Sequence, residues 1–195
     1  MQTAIDAFEE SMRRVRDLHA LHQSLTQMVT AAVDLSDMLR AEIVLAVSAF
    51  DFFVHELTRL GMLECHGGSR ARTDAFKRFQ VPLESALALS NQVLDTEIRA
   101  KHSYLSFQRP DKVADAIRLF SSVELWNAVA NELGIPAKEI KTALELVIER
   151  RNKIAHEADI DPSYPGQRWP IDRVQVKYAC DQIESIARAI FRVTV

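Results

Sequence analysis

Little in this sequence supports the folds that depend on unusual residues. Two cysteines, Cys65 and Cys180, in 195 residues are too few for a disulfide scaffold and fit a reducing compartment. Five glycines and six prolines are too few for a sandwich or barrel of many short strands joined by tight turns. Neither sign of charge prevails. There are 24 Lys and Arg against 27 Asp and Glu, a net of −3, so no overall basic field advertises a nucleic-acid partner, although a local basic site stays open. Long apolar runs are missing too. The greasiest stretch, Ile43 to Phe53, is broken by Asp51 and bounded by Arg40 and His55, too short to span a bilayer. The opening residues, Met1 to Asp6, show no basic region followed by an apolar one, so no secretory signal is visible. The expectation is a cytoplasmic protein with no membrane partner.

What is present is the composition of an ordinary globule, 48% hydrophobic and 26% charged. The length suits a single domain, residues 1–195, able to bury roughly 70% of its unfolded surface. Apolar residues recur at helical spacing nearly everywhere and no segment alternates with period two, so the fold class is all-α. A first helix is predicted from Thr3 to Val33, with Ile5, Phe8, Met12, Val15, Leu18, Leu21 and Leu25 as its inner stripe. Ser36 reads as the N-cap of a second helix, Asp37 to Leu63, that ends at Gly67-Gly68 and lies at the centre of the core. Shorter helices are predicted at Thr73–Phe79, Leu83–Val93 and Lys112–Phe120, and one capped by Ser122 runs to Leu133. A strong helix, Ala137 to His156, precedes a Pro-rich loop, Asp161 to Pro170, and Asp172 caps the last helix, to Arg192.

The segment Glu149 to Glu157 concentrates the chemistry. Asn152 and His156 are four apart and share a helical face. Arg151 lies five residues before His156, about 140° around an ideal helix, so the two converge only through a frayed last turn, a long reach, or a two-fold dimer. Guanidinium offers a bidentate fork to phosphate and can stabilise growing charge. Imidazole titrates near neutrality and can take a proton from a ribose 2′-OH or give one to a leaving oxygen. Two such histidines, one from each subunit, would supply an acid and a base without a metal or other cofactor. The product would carry a 2′,3′-cyclic phosphate, and DNA would be refused for lack of the nucleophile.

Arg151-Asn152-Lys153-Ile154-Ala155-His156 resembles the Arg-x4-His signature of the HEPN superfamily of helical ribonucleases. The wider run Arg150 to Asp159 is similar to the branch associated with RiboL-PSP proteins, and the apolar helix Arg40 to Leu57, carrying Asp51, His55 and Glu56, fits that branch's second helix. The resemblance implies a helical bundle with antiparallel long helices, a homodimer with both motifs at the interface, and metal-independent endoribonuclease activity, often in toxins or phage defence. Arg151 would contact phosphate, His156 would be the acid and base, and Asn152 would orient the site or bond RNA. An acid from the second helix would accompany them, with Asp51 and Glu56 both matching. Candidate RNA contacts are Arg150, Lys153, Tyr164 and Trp169, the last two as stacking platforms in the loop after His156.

Other readings compete. The same fold could serve as a non-catalytic module that binds RNA or protein, or as a toxin silenced by an antitoxin or other regulatory protein. Asp51 on an apolar helix needs a partner, for which Arg40, Arg59 or a motif Arg are candidates. Two local basic clusters, Arg70, Arg72, Lys77 and Arg78, and Arg99, Lys101, His102, Arg109 and Lys112, fit solvated loops or RNA-backbone contacts. No metal site is expected: Cys65 and His66 lack a second pair, and His19 and His22 fit a solvated face. Phe120 and Trp126 read as core.

Overall fold

Apolar side chains spaced three and four apart lay one stripe along each helix, and burying those stripes against each other builds the molecule. The computed structural model describes residues 1–30, 32–164 and 166–195. Among them the helices are α1 (Gln2–Met28), α2 (Ser36–Gly67), α3 (Asp74–Lys77), α4 (Leu83–Leu87), α5 (Asn91–His102), α6 (Pro110–Arg118), α7 (Leu125–Leu133), α8 (Ala137–His156) and α9 (Arg173–Thr194). The described residues contain no strand, only an isolated antiparallel bridge between Ile160 and Arg168. No helix of the described residues is long and apolar enough to cross a membrane.

α2 is the axis, packed against α1, α5, α6, α8 and α9. Its apolar middle is why: Ala46, Val47, Phe50, Phe53, Val54 and Leu57 are all buried, on more faces than one neighbour could cover. Ser36 enters this helix instead of capping it; Asp34 Oδ1 accepts the Ser36 amide at 2.8 Å and Leu35 takes the cap position. The far end stops at Gly68, whose φ of 83° suits a residue without a Cβ. There Arg72 donates to the Cys65 and His66 carbonyls and Arg70 to Thr194 O and Glu64, so two of the four residues of the first basic cluster are occupied at the end of α2. Phe120 is fully buried as expected, and Trp126, half-buried, donates its indole N–H to Pro110 O at 2.9 Å.

Boundaries shift where a polar residue offers the backbone another partner. α1 ends at Met28, short of Val33, because Val29 turns extended; Ala31 of the expected span lies outside the described residues. Leu21, expected inside, is exposed, and His22 is buried in its place. At this level α1 faces a polar partner, with His19 Nδ1 at 2.8 Å from the buried Glu42 carboxylate. The single helix expected over Leu83–Val93 is two, α4 and α5, divided where Ser90 Oγ accepts the Val93 amide. α6 begins at Pro110, and α7 at Leu125 rather than after Ser122. α8 matches its expected span, and Asp172 caps α9 through the Val174 and Gln175 amides.

Candidate functional site

α8 turns neighbouring motif residues to different surroundings, because each residue advances about 100°. Arg150 faces α2 and the following loop. Its Nη2 donates to Asp159 Oδ2 at 2.9 Å and to Pro170 O at 3.1 Å. Asp159 is 1% exposed and also receives Arg40 Nε at 2.7 Å, so one buried carboxylate joins the start of α2 to α8. Burial draws the Arg150 guanidinium below its ordinary value; Asp159 opposes that shift and Arg40 adds to it. Asp159 reaches this place because α8 ends in two left-handed residues, Ala158 at φ 52° and Asp159 at φ 58°. The Asp159 amide then bonds back to Lys153 O at 2.9 Å, closing the helix end.

The loop beyond is tied in turn. Trp169 N–H donates to Asp159 O and Asp161 N–H to Gln167 O, both at 2.8 Å. Arg168 pairs with Asp34 and Asp37. Lys153 Nζ sits 4.8 Å from the centre of the Trp169 ring, so these two predicted RNA contacts meet each other. Tyr164 stands exposed near the loop tip, and Pro165 lies outside the described residues.

Arg151 and Asn152 face elsewhere. Arg151 Nη1 donates to Asn152 Oδ1 at 3.0 Å, and both line an open cavity of about 630 Å³. The opposite wall is the α5–α6 connection, Tyr104 to Arg109, followed by Lys112 and Asp115 of α6. Asp51 braces this wall from behind: Oδ1 accepts the Phe107 amide at 2.6 Å, and His55 Nε2 lies 3.8 Å away. The partner of Asp51 is therefore a backbone amide, where a cation was expected. Glu56 is held by Arg59 at 2.7 Å and by Arg99 at 3.5 Å, and Arg59 also binds Asp95. Of the two acids, Asp51 is the one joined to the cavity wall. His156 is exposed one turn beyond Asn152, and among the described residues it has no hydrogen bond to Arg151, Asn152 or Asp51. The chain thus brings Arg151 to Asn152, bonds Asp51 to the facing cavity wall at Phe107, and leaves His156 apart.

Beneath the wall, His102 packs edge-on against Phe107 at 5.2 Å and against Phe79 at 6.0 Å. Burial, with smaller effects of His55 and Lys101, lowers it to about 4. Sequence reasoning did not single out Tyr104 or Gln108. The available signal was Pro110, which holds the residue before it extended; Arg109 is so, at φ −69°, ψ 146°, and the chain leading to α6 runs along the cavity.

Among the described residues no group of three or more His, Cys, Asp and Glu side chains is arranged to hold a metal ion. Both cysteines are free and buried, and burial pushes the Cys180 thiol up to about 12. His66 Nδ1 contacts Asn91 Oδ1 at 2.7 Å. Comparison with curated proteins and with solved structures gives no match. A family description does match, over residues 9–195, nearly the whole of the sequence and all the elements that frame the cavity. The chain belongs to the RiboL-PSP-HEPN family.

Proposed function

We propose that this protein is an endoribonuclease in which a ribose 2′-OH attacks the adjacent phosphate, leaving a 2′,3′-cyclic phosphate end. The reading is carried by Arg151 beside Asn152 on the wall of an open cavity, one helical turn before a solvent-exposed His156. Arg151 has no carboxylate partner among the described residues, so its guanidinium is available to phosphate oxygens. In the step proposed, imidazole takes the 2′-OH proton as the O2′–P bond forms. The P–O5′ bond breaks, a second imidazole gives its proton to O5′, and Arg151 stabilises the charge gathering on the phosphoryl oxygens.

The second imidazole is assigned to another copy of the chain. α2 leaves Leu45 and Phe52 exposed on one face, seven residues and two helical turns apart, and Ile160 is exposed beyond the end of α8. An apolar surface of this kind fits a two-fold seam, which would set two α8 ends against each other. Within this reading Arg150 is a positioning residue that holds the loop, and Lys153 with Trp169 forms one platform for RNA. A toxin or phage-defence setting is consistent with such an activity.

The separation of His156 from Arg151 within one protomer favours a second reading, a module that binds RNA without turnover. RNA cleavage in excess EDTA, by wild type beside His156→Ala and Arg151→Ala, separates the two. The nuclease reading expects wild type to leave cyclic-phosphate ends and each variant to lose about 10²- to 10⁴-fold in rate with fold and mass unchanged. Equal cleavage by all three would sink the site assignment, and RNA retention without product would establish the module.

A further inference from the structure

We infer that the cavity beside Arg151 is a subsite for one nucleotide of single-stranded RNA next to the cleaved bond, built by Tyr104, Gln108, Arg109 and Lys112. This rests on the ribonuclease reading for its place relative to the bond, but its own evidence is separate. Gln108 lines the cavity at 6% exposure, and its side-chain amide makes no hydrogen bond among the described residues. An amide that no protein group satisfies is free to bond water or a ligand that enters the cavity. Its paired donor and acceptor match the edge of a nucleobase.

The surroundings supply the remaining parts of a nucleotide site. Tyr104 is 92% exposed at the cavity rim, a position that gains little from packing and offers a free aromatic face for a base to stack on. Arg109 has no ion-pair partner among the described residues. Lys112 leans only loosely on Asp111, at 3.8 Å between exposed side chains. The one acid in the lining, Asp115, is paired with Arg118 at 2.5 Å. Arg109 and Lys112 on one wall and Arg151 on the other therefore give the cavity a cationic lining on a chain whose net charge is negative. A volume of about 630 Å³ lies in the range of small-ligand pockets, and its aromatic rim and two side-chain amides, Gln108 and Asn152, suit one base better than a duplex.

The test is binding of a fluorescein-labelled single-stranded RNA about 12 nucleotides long, across a salt series, to cleavage-silenced His156→Ala protein and to the same protein with added changes. Arg109→Ala with Lys112→Ala should weaken binding at least tenfold and make the slope of log affinity against log salt shallower by about 1.4. Tyr104→Ala should cost roughly 5- to 150-fold with the slope unchanged. Gln108→Leu should leave thermal stability nearly unchanged, because no hydrogen bond to protein is removed, and in the cleaving protein should alter which bases flank the cut. These losses would uphold the subsite even if wild type never cleaves, the outcome that would refute the nuclease reading alone. Equal affinities and slopes across the series, or no RNA binding by the His156→Ala protein, would overturn the subsite even where cleavage is robust.

Discussion

A buried imidazole ties the wall of the cavity to pH. His102 has an unpartnered Nδ1, with His55 and Lys101 as its charged or titratable neighbours, and its value is lowered to about 4. In the unfolded chain the same group titrates near 6.5, so between about pH 6.5 and 4 the unfolded state binds more protons and stability falls with pH. The contribution lost between pH 7 and 5 is about 2 kcal/mol. Replacing His102 by Phe keeps a flat ring between Phe79 and Phe107 and should remove that loss, which urea unfolding at the two pH values measures. Parallel declines for variant and wild type would mean that His102 does not titrate as its burial indicates. At this scale the sequence shows Arg151, Asn152 and His156 plainly, since their spacing on an amphipathic helix is readable. It conceals His102 and Gln108, because a polar residue enters a core only through contacts made by distant segments, and no period marks them.

Among the elements, α2 and the turn after α6 meet where a side chain is missing. A Cβ built on Gly61 would lie 2.3 Å from the ring of the buried Phe120, so this glycine marks a close approach rather than a turn. Gly61→Ala should lower stability by about 1–3 kcal/mol through overpacking, and adding Phe120→Leu should recover part of that loss; thermal melts of the two variants show it. If Gly61→Ala melts with wild type, the approach is looser than the geometry states. Helices with strong stripes and end signals, α8 above all, are legible because Pro136 opens it and the chain beyond His156 cannot continue it. The α4–α5 break was present in the sequence as Ser90, but short helices bury few residues of their own, so local spacing does not decide how they divide.

For the whole molecule, the family and the all-α architecture were both legible, whereas the cavity was not: its two walls lie more than thirty residues apart in sequence. The seam proposed on α2 has a direct consequence. Phe52→Glu, at a side chain 52% exposed, should leave the melting temperature nearly unchanged, convert a dimer to a monomer in sedimentation, and abolish cleavage along with the composite site. A monomeric wild type, or a variant that stays dimeric and active, would remove Phe52 from the interface.

The Asp159 carboxylate also bears on the order in which the molecule is assembled. Its bond to Arg40 joins residues 119 positions apart, so it forms only after most of the chain has been made and a large loop closed. Synthesis exposes the amino-terminal helices first. Until Asp159 has emerged and docked, Arg40 lacks its buried counter-charge and the loop behind the motif lacks its buried anchor. Any chemistry that depends on the end of α8 is therefore withheld from the nascent chain until this long-range contact has formed.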